Sequence, residues 1–250
     1  MRIPRIFQAG TWSEQQLIAL SDEPANHVGR VLRMQPGDSL ILFNGDGFDY
    51  PAVITEAGKK TVQVQISAKV ENHLESPLKI HLGQGISRGD RMDFAIQKAV
   101  ELGVTEITPL FTERCGVKLD GERLQKRTEQ WQKIAISACE QSGRSVVPRV
   151  HPAQNLDKWL SQPTKELKLT LDPWAKDTIK TLMPVTAVRL VIGPEGGFSD
   201  REVQLTTSAG FVAVQLGPRV LRTETAALTA ISALQLQMGD LASANPGAEI

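Results

Sequence analysis

One stretch of the sequence indicates the fold class more clearly than the others: Val188-Arg189-Leu190-Val191-Ile192-Gly193-Pro194-Glu195-Gly196-Gly197-Phe198-Ser199. Its first five residues are mostly branched apolar residues, which is the pattern of a short strand buried inside a sheet. Three glycines follow within five residues. The capping box Ser199-Asp200-Arg201-Glu202 then predicts that a helix begins immediately. A buried strand, a glycine loop and a helix form the repeating unit of an α/β sheet, whose ligands bind beyond the carboxyl ends of the strands.

Strand-like and helical runs alternate on both sides of this stretch. The predicted strands are 78–82, 107–111, 167–171, 188–192 and 211–216, and the clearest predicted helices are 92–100, 123–140 and a last one from about Thr225. This order predicts an α/β domain with a mostly parallel sheet and helices on both faces.

The amino-terminal part has a different pattern. Short alternating runs at 40–43, 52–54 and 61–66 are separated by turn signals, which is typical of a small antiparallel β domain. A polar, aperiodic segment near 71–76 separates the two patterns. We therefore predict one domain over 1–72 and a second over 77–250.

Composition excludes several classes of protein. The 250 residues include 28 basic and 28 acidic side chains and are 41% hydrophobic, which argues against disorder and against a generally polycationic nucleic-acid binder. No secretion signal is visible, and the apolar stretch 226–238 is too short to span a bilayer, so we expect a cytoplasmic protein with no membrane contact. The four histidines and two cysteines are scattered, which predicts no metal site.

Three loops carry glycine at the ends of predicted strands. The first, 83–89, contains a GxSxG pattern around Ser87, so a serine hydrolase is one alternative. Chain order disfavours it, because the only later histidine, His151, precedes most of the sheet. The second loop, 193–197, lacks both the GxGxxG and the Lys-Ser/Thr patterns of phosphate-binding loops, and Glu195 would oppose a pyrophosphate. A tight turn without a ligand is the alternative for this loop.

The third loop, 217–225, concentrates polar side chains ahead of an apolar helix. Two glycine loops close together suggest one binding site. Alternatives remain for individual residues: Arg222 and Glu224 could pair with each other, and Thr223 could be only a helix N-cap.

These motifs together resemble a known family. The segments 192–199 and 216–226 resemble the paired motifs of the SPOUT methyltransferase superfamily. Segments 90–93, 97–104, 112–114 and 140–144 resemble the bacterial small-subunit ribosomal RNA uridine N3-methyltransferase family. The resemblance extends over nearly the whole chain, including 2–5 and 27–33. In the first loop, relatives often carry a lysine before Asp90, where this chain has glycine.

The resemblance implies a PUA-like RNA-binding β-barrel followed by a trefoil-knotted domain that binds S-adenosyl-L-methionine, in a homodimer acting on 16S rRNA of the small ribosomal subunit. It places the cofactor in the second and third glycine loops. The residues expected to bind it are Gly193, Pro194, Glu195, Gly196, Gly197, Leu216, Gly217, Leu221, Thr223 and Ala226.

The implied reaction needs charge stabilisation, because uridine N3 must lose a proton to be methylated and the base oxygens then carry negative charge. We expect Arg222 to supply a cation and Glu224 to accept or orient the proton. The segment 114–149 has eight basic and four acidic residues, which favours a phosphate-binding surface. The expected RNA-binding residues are Arg2, Arg5, Arg30, Arg33, Lys98, Arg114 and Arg144. The main functional alternative is an RNA-binding or ribosome assembly factor without catalysis.

Overall fold

The computed structural model describes residues 3–58 and 61–243. The chain forms two compact units. The first comprises Met1–Glu75 together with Cys139–Val147, and the second comprises Ser76–Ala138 and Pro148–Ile250. The sequence predicted the first boundary near residue 72 but assigned 139–147 to the second domain. In the structure this short segment belongs to the first unit.

The first unit contains one mixed sheet and a short helical segment. Its strands are β1 Arg5–Phe7, β2 Leu17–Ala19, β3 Ser39–Phe43, β4 Phe48–Ala57, β5 Val62–Ile66 and β6 Val70–Glu71, with helix α1 Asp22–Asn26 continuing into a π-helical turn at His27–Val31. The strand order is β1-β3-β4-β5-β2, and β6 pairs with β4. Only the β1–β3 pairing is parallel. The three predicted strands of this region are confirmed as β3, β4 and β5.

Apolar residues at alternate positions of these strands form the hydrophobic core of the first unit. Leu40 and Leu42 of β3, and Val62, Val64 and Ile66 of β5, are buried on one face of the sheet. Residues between them point to the opposite face because side chains of a strand alternate. The helical segment contributes further buried side chains to the same core.

Buried ion pairs hold the segment 139–147 in the first unit. The guanidinium of Arg5 binds both carboxylate oxygens of Asp49 at 2.7 Å, and the Ser145 hydroxyl also donates to Asp49. Arg144 binds both oxygens of Glu75, at 2.9 and 2.6 Å. The side chains of Arg5 and Arg144 are only 7% and 4% exposed. The structure therefore places these two expected RNA-binding residues inside the unit, in ion pairs, rather than at its surface.

The second unit contains an all-parallel sheet. Its strands are β7 Lys79–Gly85, β8 Glu106–Phe111, β9 Arg149–Val150, β10 Gln154–Asn155, β11 Leu167–Leu171, β12 Asp177–Thr178, β13 Ala187–Ile192 and β14 Val212–Gln215. The order is β10-β8-β7-β13-β11-β14-β12, and β9 pairs with β8. Every pairing is parallel. The prediction of a parallel sheet is confirmed.

Helices cover both faces of this sheet, as predicted. They are α2 Asp90–Glu101, α3 Gly121–Ser142, whose residues after Ala138 belong to the first unit, α4 Leu156–Leu160, α5 Asp200–Ser208 and α6 Thr223–Met238, with a 3-10 turn at Ile179–Thr181. Helices α4 and α5 pack together over Val191 of β13, whereas α2 packs against α6. Leu190 and Ile192 point away from Val191 because neighbouring residues of a strand face opposite sides. Among the described residues, no helix is both long and apolar enough to cross a membrane.

Strand β7 is longer than predicted. The sequence predicted that the strand ends at Leu82 and that a glycine loop follows, but in the structure Gly83 and Gly85 lie within β7. A Cβ atom at Gly83 would lie 2.7 Å from the Trp159 ring and 2.9 Å from Leu110. Glycine is therefore required at this point by the close packing of α4 on the sheet, not by loop flexibility.

We expect the substitution Gly83→Ala to lower the free energy of unfolding by about 1–3 kcal/mol, because the added methyl group overlaps the buried Trp159 ring. Urea denaturation followed by circular dichroism would measure it. Gly29→Ala is the matched control, since its nearest neighbours would lie at 3.8 Å. Equal stability of the two variants would contradict this account of β7.

Candidate functional site

A large cavity opens at the carboxyl ends of three neighbouring strands of the second unit. It has a volume of about 1020 Å³ and lies beyond β11, β13 and β14. These strands are adjacent in the sheet, with β11 between the other two. Because they run parallel, the loops that leave them meet at the same edge, which is where ligands of open α/β sheets bind. The volume is in the range of sites for small ligands and cofactors.

The predicted second and third glycine loops both line this cavity. All ten residues expected to bind a cofactor are at its surface: Gly193, Pro194, Glu195, Gly196, Gly197, Leu216, Gly217, Leu221, Thr223 and Ala226. Arg222 also lines it. Glu224, the other expected catalytic residue, does not lie among the residues that line the cavity. Its side chain is half-buried, and Oε2 is buried without a hydrogen-bond partner among the described residues.

Hydrogen bonds of Thr223 connect the two loops. Its hydroxyl donates to the carbonyl of Gly193 and accepts a bond of 2.9 Å from Nε2 of Gln84, at the end of β7. Both side chains are buried. Thr223 is the first residue of α6, and Arg222 occupies the N-cap position without a side-chain cap. The alternative interpretation of Thr223 as a helix N-cap therefore does not apply. The pairing of Arg222 with Glu224 is also not among the ion pairs of the described residues.

Glycine lets the chain segments around the cavity approach closely. A Cβ atom at Gly85 would lie 2.5 Å from the backbone nitrogen of Pro194, so β7 and the second loop are in backbone contact. Gly197 and Gly217 have φ values of 66° and 73°, in the left-handed region that favours glycine. At these glycines the cavity wall carries no side chain, so backbone amide and carbonyl groups of the two loops can face a ligand.

Glu195 is held at the rim by the protein itself. Its Oε1 accepts hydrogen bonds from the Arg88 backbone N–H at 2.9 Å and from Arg91 Nη1 at 3.2 Å. Burial alone would raise the pKa of this carboxyl, but these hydrogen bonds and the Arg91 charge keep its pKa below the usual value. Glu195 is therefore ionised at neutral pH and fixes the second loop against the segment before α2.

The structure adds cavity residues that the sequence analysis did not select. Leu171, the last residue of β11, and the three residues after it form a third wall, and Trp174 is 87% exposed there. Arg91 and Arg114 also line the cavity. The end of β11 carries no glycine, unlike the three strand ends at which binding loops were predicted. The strand at 167–171 was predicted correctly, so its end was an available signal, but only the sheet order shows that it lies between the two glycine loops.

The other expected RNA-binding residues have different surroundings. In the first unit, Arg30 and Arg33 are exposed. In the second, Lys98 pairs with Glu101 one turn later in α2, and Arg114 donates to the Gly196 carbonyl at 3.1 Å. Arg2 lies outside the described residues. The structure thus leaves exposed basic groups on each unit, apart from the buried Arg5 and Arg144.

The geometry does not support the hydrolase alternative. Ser87 is buried, and its hydroxyl donates to the Gly85 carbonyl. The neighbouring Ile86 N–H binds the carbonyl of Leu110, near the carboxyl end of β8, whereas the N–H of His151 binds Ile107, near its start. Ser87 and His151 therefore lie at opposite ends of β8, too far apart for a nucleophile and its base.

Comparison with known proteins identifies related chains over almost the full length. A family model described as an RNA methyltransferase domain matches residues 74–235, and one described as an RNA methyltransferase PUA domain matches residues 20–67. The ribosomal RNA small subunit methyltransferase E of Buchnera aphidicola (from Schizaphis graminum) is 41% identical over 242 residues, which cover 96% of this chain and 98% of the relative. The Bacillus subtilis protein of the same name is 32% identical, over 90% of this chain and 91% of its own.

Solved structures of related proteins also match almost the whole chain. A Legionella pneumophila protein in complex with bound S-adenosylmethionine superposes with a TM-score of 0.94 at 50% identity, over 96% of this chain and all of the other. The ribosomal RNA small subunit methyltransferase E of Neisseria gonorrhoeae, bound to S-adenosylmethionine, gives 0.91 at 42% identity with the same coverage. By its RNA methyltransferase domain, its preceding PUA domain and its full-length relatives, the chain belongs to the ribosomal RNA small subunit methyltransferase E family.

Proposed function

We propose that this protein transfers a methyl group from S-adenosyl-L-methionine to N3 of one uridine in 16S rRNA of the small ribosomal subunit. The observation that carries the proposal is the cavity where the two glycine loops meet, in a chain whose family members bind this cofactor and modify small-subunit RNA. The position on the base comes from the motif resemblance.

The cavity fits the cofactor by its chemistry. Its walls are backbone amide and carbonyl groups around Gly193, Gly196 and Gly217, with apolar side chains such as Ile192 and Leu221. Such walls suit a flat, uncharged adenine, which can hydrogen-bond to backbone and pack on apolar surface. The carboxylate of Glu195 at the rim suits hydroxyl or cationic groups, and it would repel a pyrophosphate. When bound, the cofactor supplies an electrophilic methyl group.

Arg222 is the group we propose to act on the base. N3 must lose its proton to water before it can accept the methyl group, and the negative charge of the deprotonated base spreads onto O2 and O4 of uracil. A guanidinium beside those oxygens lowers the barrier by stabilising this charge. Arg222 is exposed at the start of α6 and lines the cavity. Glu224 is left out of this step, because its side chain does not reach the cavity surface.

The substrate base must be accessible. N3 is on the pairing edge of uracil, so the target uridine has to be unpaired or extruded from its helix. We propose that basic residues position the RNA through its phosphates, with the exposed Arg30 and Arg33 in the first unit and the exposed Arg114 and half-buried Lys98 in the second. Arg2 remains part of this proposal from its sequence alone. The net charge of zero limits indiscriminate RNA binding, which fits recognition of one shaped site.

Three further properties are proposed from the family resemblance. The chain between 193 and 223 forms a trefoil knot, and the contact of Thr223 with the Gly193 carbonyl supports close passage of these segments. The protein acts as a homodimer. Because the proposed substrate is ribosomal RNA, the activity belongs in the cytoplasm.

The direct experiment maps ribosomal RNA from cells that lack this protein. We expect one uridine of 16S rRNA to lose the mass of one methyl group, and a reverse-transcription stop to disappear at that nucleotide, because an N3 methyl group blocks pairing. Complementation with the wild-type chain should restore both signals. Loss of mass without loss of the stop would place the methyl group on another atom.

Thr223→Val tests the link between the two loops. The substitution keeps the side-chain shape but removes the bonds to Gly193 and Gln84, so we expect the dissociation constant for S-adenosylmethionine to rise about tenfold. Calorimetric titration measures it. Thr225→Val, at an exposed position of the same helix, is the control and should bind as wild type. If wild-type protein showed no saturable binding, an RNA-binding factor without catalysis would be favoured instead.

Arg222→Ala tests the proposed charge stabilisation. We expect the single-turnover rate at saturating RNA and cofactor to fall by about a hundredfold, as for the loss of a group that stabilises transition-state charge. Arg219→Ala is the matched control, since Arg219 lines the same cavity. We expect that variant to weaken RNA binding while its saturated rate stays within a few-fold. An unchanged rate in Arg222→Ala would refute the role of Arg222.

A further inference from the structure

A second cavity lies at the opposite edge of the parallel sheet, away from the glycine loops. Its volume is about 450 Å³, and every residue that lines it is polar or charged. Two histidines, His81 and His151, lie in it with Glu106 between them in the strand order. This cluster is not recognisable in the sequence, because the two histidines are seventy residues apart.

Strand register brings these residues together. His81 of β7 is the cross-strand partner of Glu106 in β8. The chain at His151 continues β9 beside β8, with its N–H bound to the carbonyl of Ile107 at 2.8 Å. His81 and Glu106 therefore lie near the amino ends of two neighbouring parallel strands, and His151, directly after β9, is held beside them by a main-chain hydrogen bond.

The side chains converge on one point. Nε2 of His151 lies 2.6 Å from Oε2 of Glu106, and the two imidazole rings are 5.4 Å apart between centroids. One ligand atom from each residue lies within 4.8 Å of the others. Ligands of a tetrahedral zinc ion with bonds of about 2.0–2.1 Å are about 3.3 Å apart. Side-chain rotations that move these atoms by roughly one ångström would bring all three to ligating distance.

The charges around the cluster also suit a cation. Glu106 and Glu166 are opposed by one cation, Arg189, whose Nε lies 3.1 Å from Glu166. Arg189 Nη2 also lies 3.5 Å from Nδ1 of His81. When both imidazoles are neutral, the two carboxylates and the one guanidinium give the cavity a net charge of −1. His151 and Glu106 side chains are 21% and 46% exposed, so an ion can enter from solvent.

We propose that His81, Glu106 and His151 form a binding site for a divalent transition-metal ion, with Zn²⁺ as the best match. Two imidazole nitrogens and one carboxylate oxygen are ligands that Zn²⁺ accepts, and a water molecule would complete a tetrahedron. Mg²⁺ and Ca²⁺ prefer all-oxygen sites and do not fit this set. The site is separate from the cofactor cavity and does not depend on the proposed methyl transfer. A bound ion would connect β7, β8 and the chain after β9.

The test is a calorimetric titration of the full-length, chelator-treated protein with Zn²⁺. We expect one strong site per chain, and the dissociation constant should rise at least tenfold in both Glu106→Gln and His151→Ala. These side chains are partly exposed, so the variants should fold, and circular dichroism checks this. His73→Ala is the control, because His73 is an exposed histidine of the first unit. It should bind Zn²⁺ as wild type does.

A second measurement locates the ion. The Trp159 ring lies 5.3 Å from that of His81 between centroids, so Co²⁺ in the site should quench tryptophan fluorescence in wild type and much less in His151→Ala. Mg²⁺ should cause no change. The proposal is overturned if Zn²⁺ binds no tighter than millimolar, or if both ligand variants keep the wild-type affinity and Co²⁺ quenching.

Discussion

The hydroxyl group of Thr223 is the point on which the site depends. It joins the carbonyl of Gly193, after β13, to the side chain of Gln84, at the end of β7, and it belongs to the first residue of α6. Three segments far apart in the sequence thereby meet at a single buried polar atom. A buried hydroxyl must have such partners, since an unsatisfied polar group is costly inside a protein. Arg222 is placed at the cavity because it immediately precedes this anchored residue.

Close backbone approach is the second constraint, and glycine permits it. At Gly85 a side chain would overlap Pro194, and at Gly83 it would overlap Trp159. These two glycines lie on the same strand, so β7 is packed tightly by α4 at one position and by the second glycine loop two residues later. The sequence pattern alone suggests a flexible loop here. Packing explains instead why the strand carries glycine and is rigid.

The chain has equal numbers of acidic and basic residues, and some of them are buried in ion pairs. Arg5 and Arg144 are buried against Asp49 and Glu75 and hold the segment 139–147 in the first unit. Burial by itself would raise the pKa of Asp49, but Arg5 and the hydrogen bonds of Ser145 and Asn72 keep that pKa below its usual value. The basic residues of the sequence motifs are therefore of two kinds. Some form buried ion pairs that stabilise the fold, and others are exposed. Sequence alone does not separate the two kinds, because both are arginines in polar surroundings.

Local sequence patterns were enough to predict the main strands and helices of both units and the two glycine loops that line the cavity. The run at 167–171 is a strand with the predicted bounds, and the capping box at Ser199 begins α5 as predicted, because period and capping chemistry are local properties. Which elements are neighbours became known only from the folded structure. In the folded chain β11 lies between the strands that carry the two glycine loops, Glu224 does not line the cavity, and His81 lies beside His151. These outcomes depend on strand order and register, which are set by packing between residues distant in sequence.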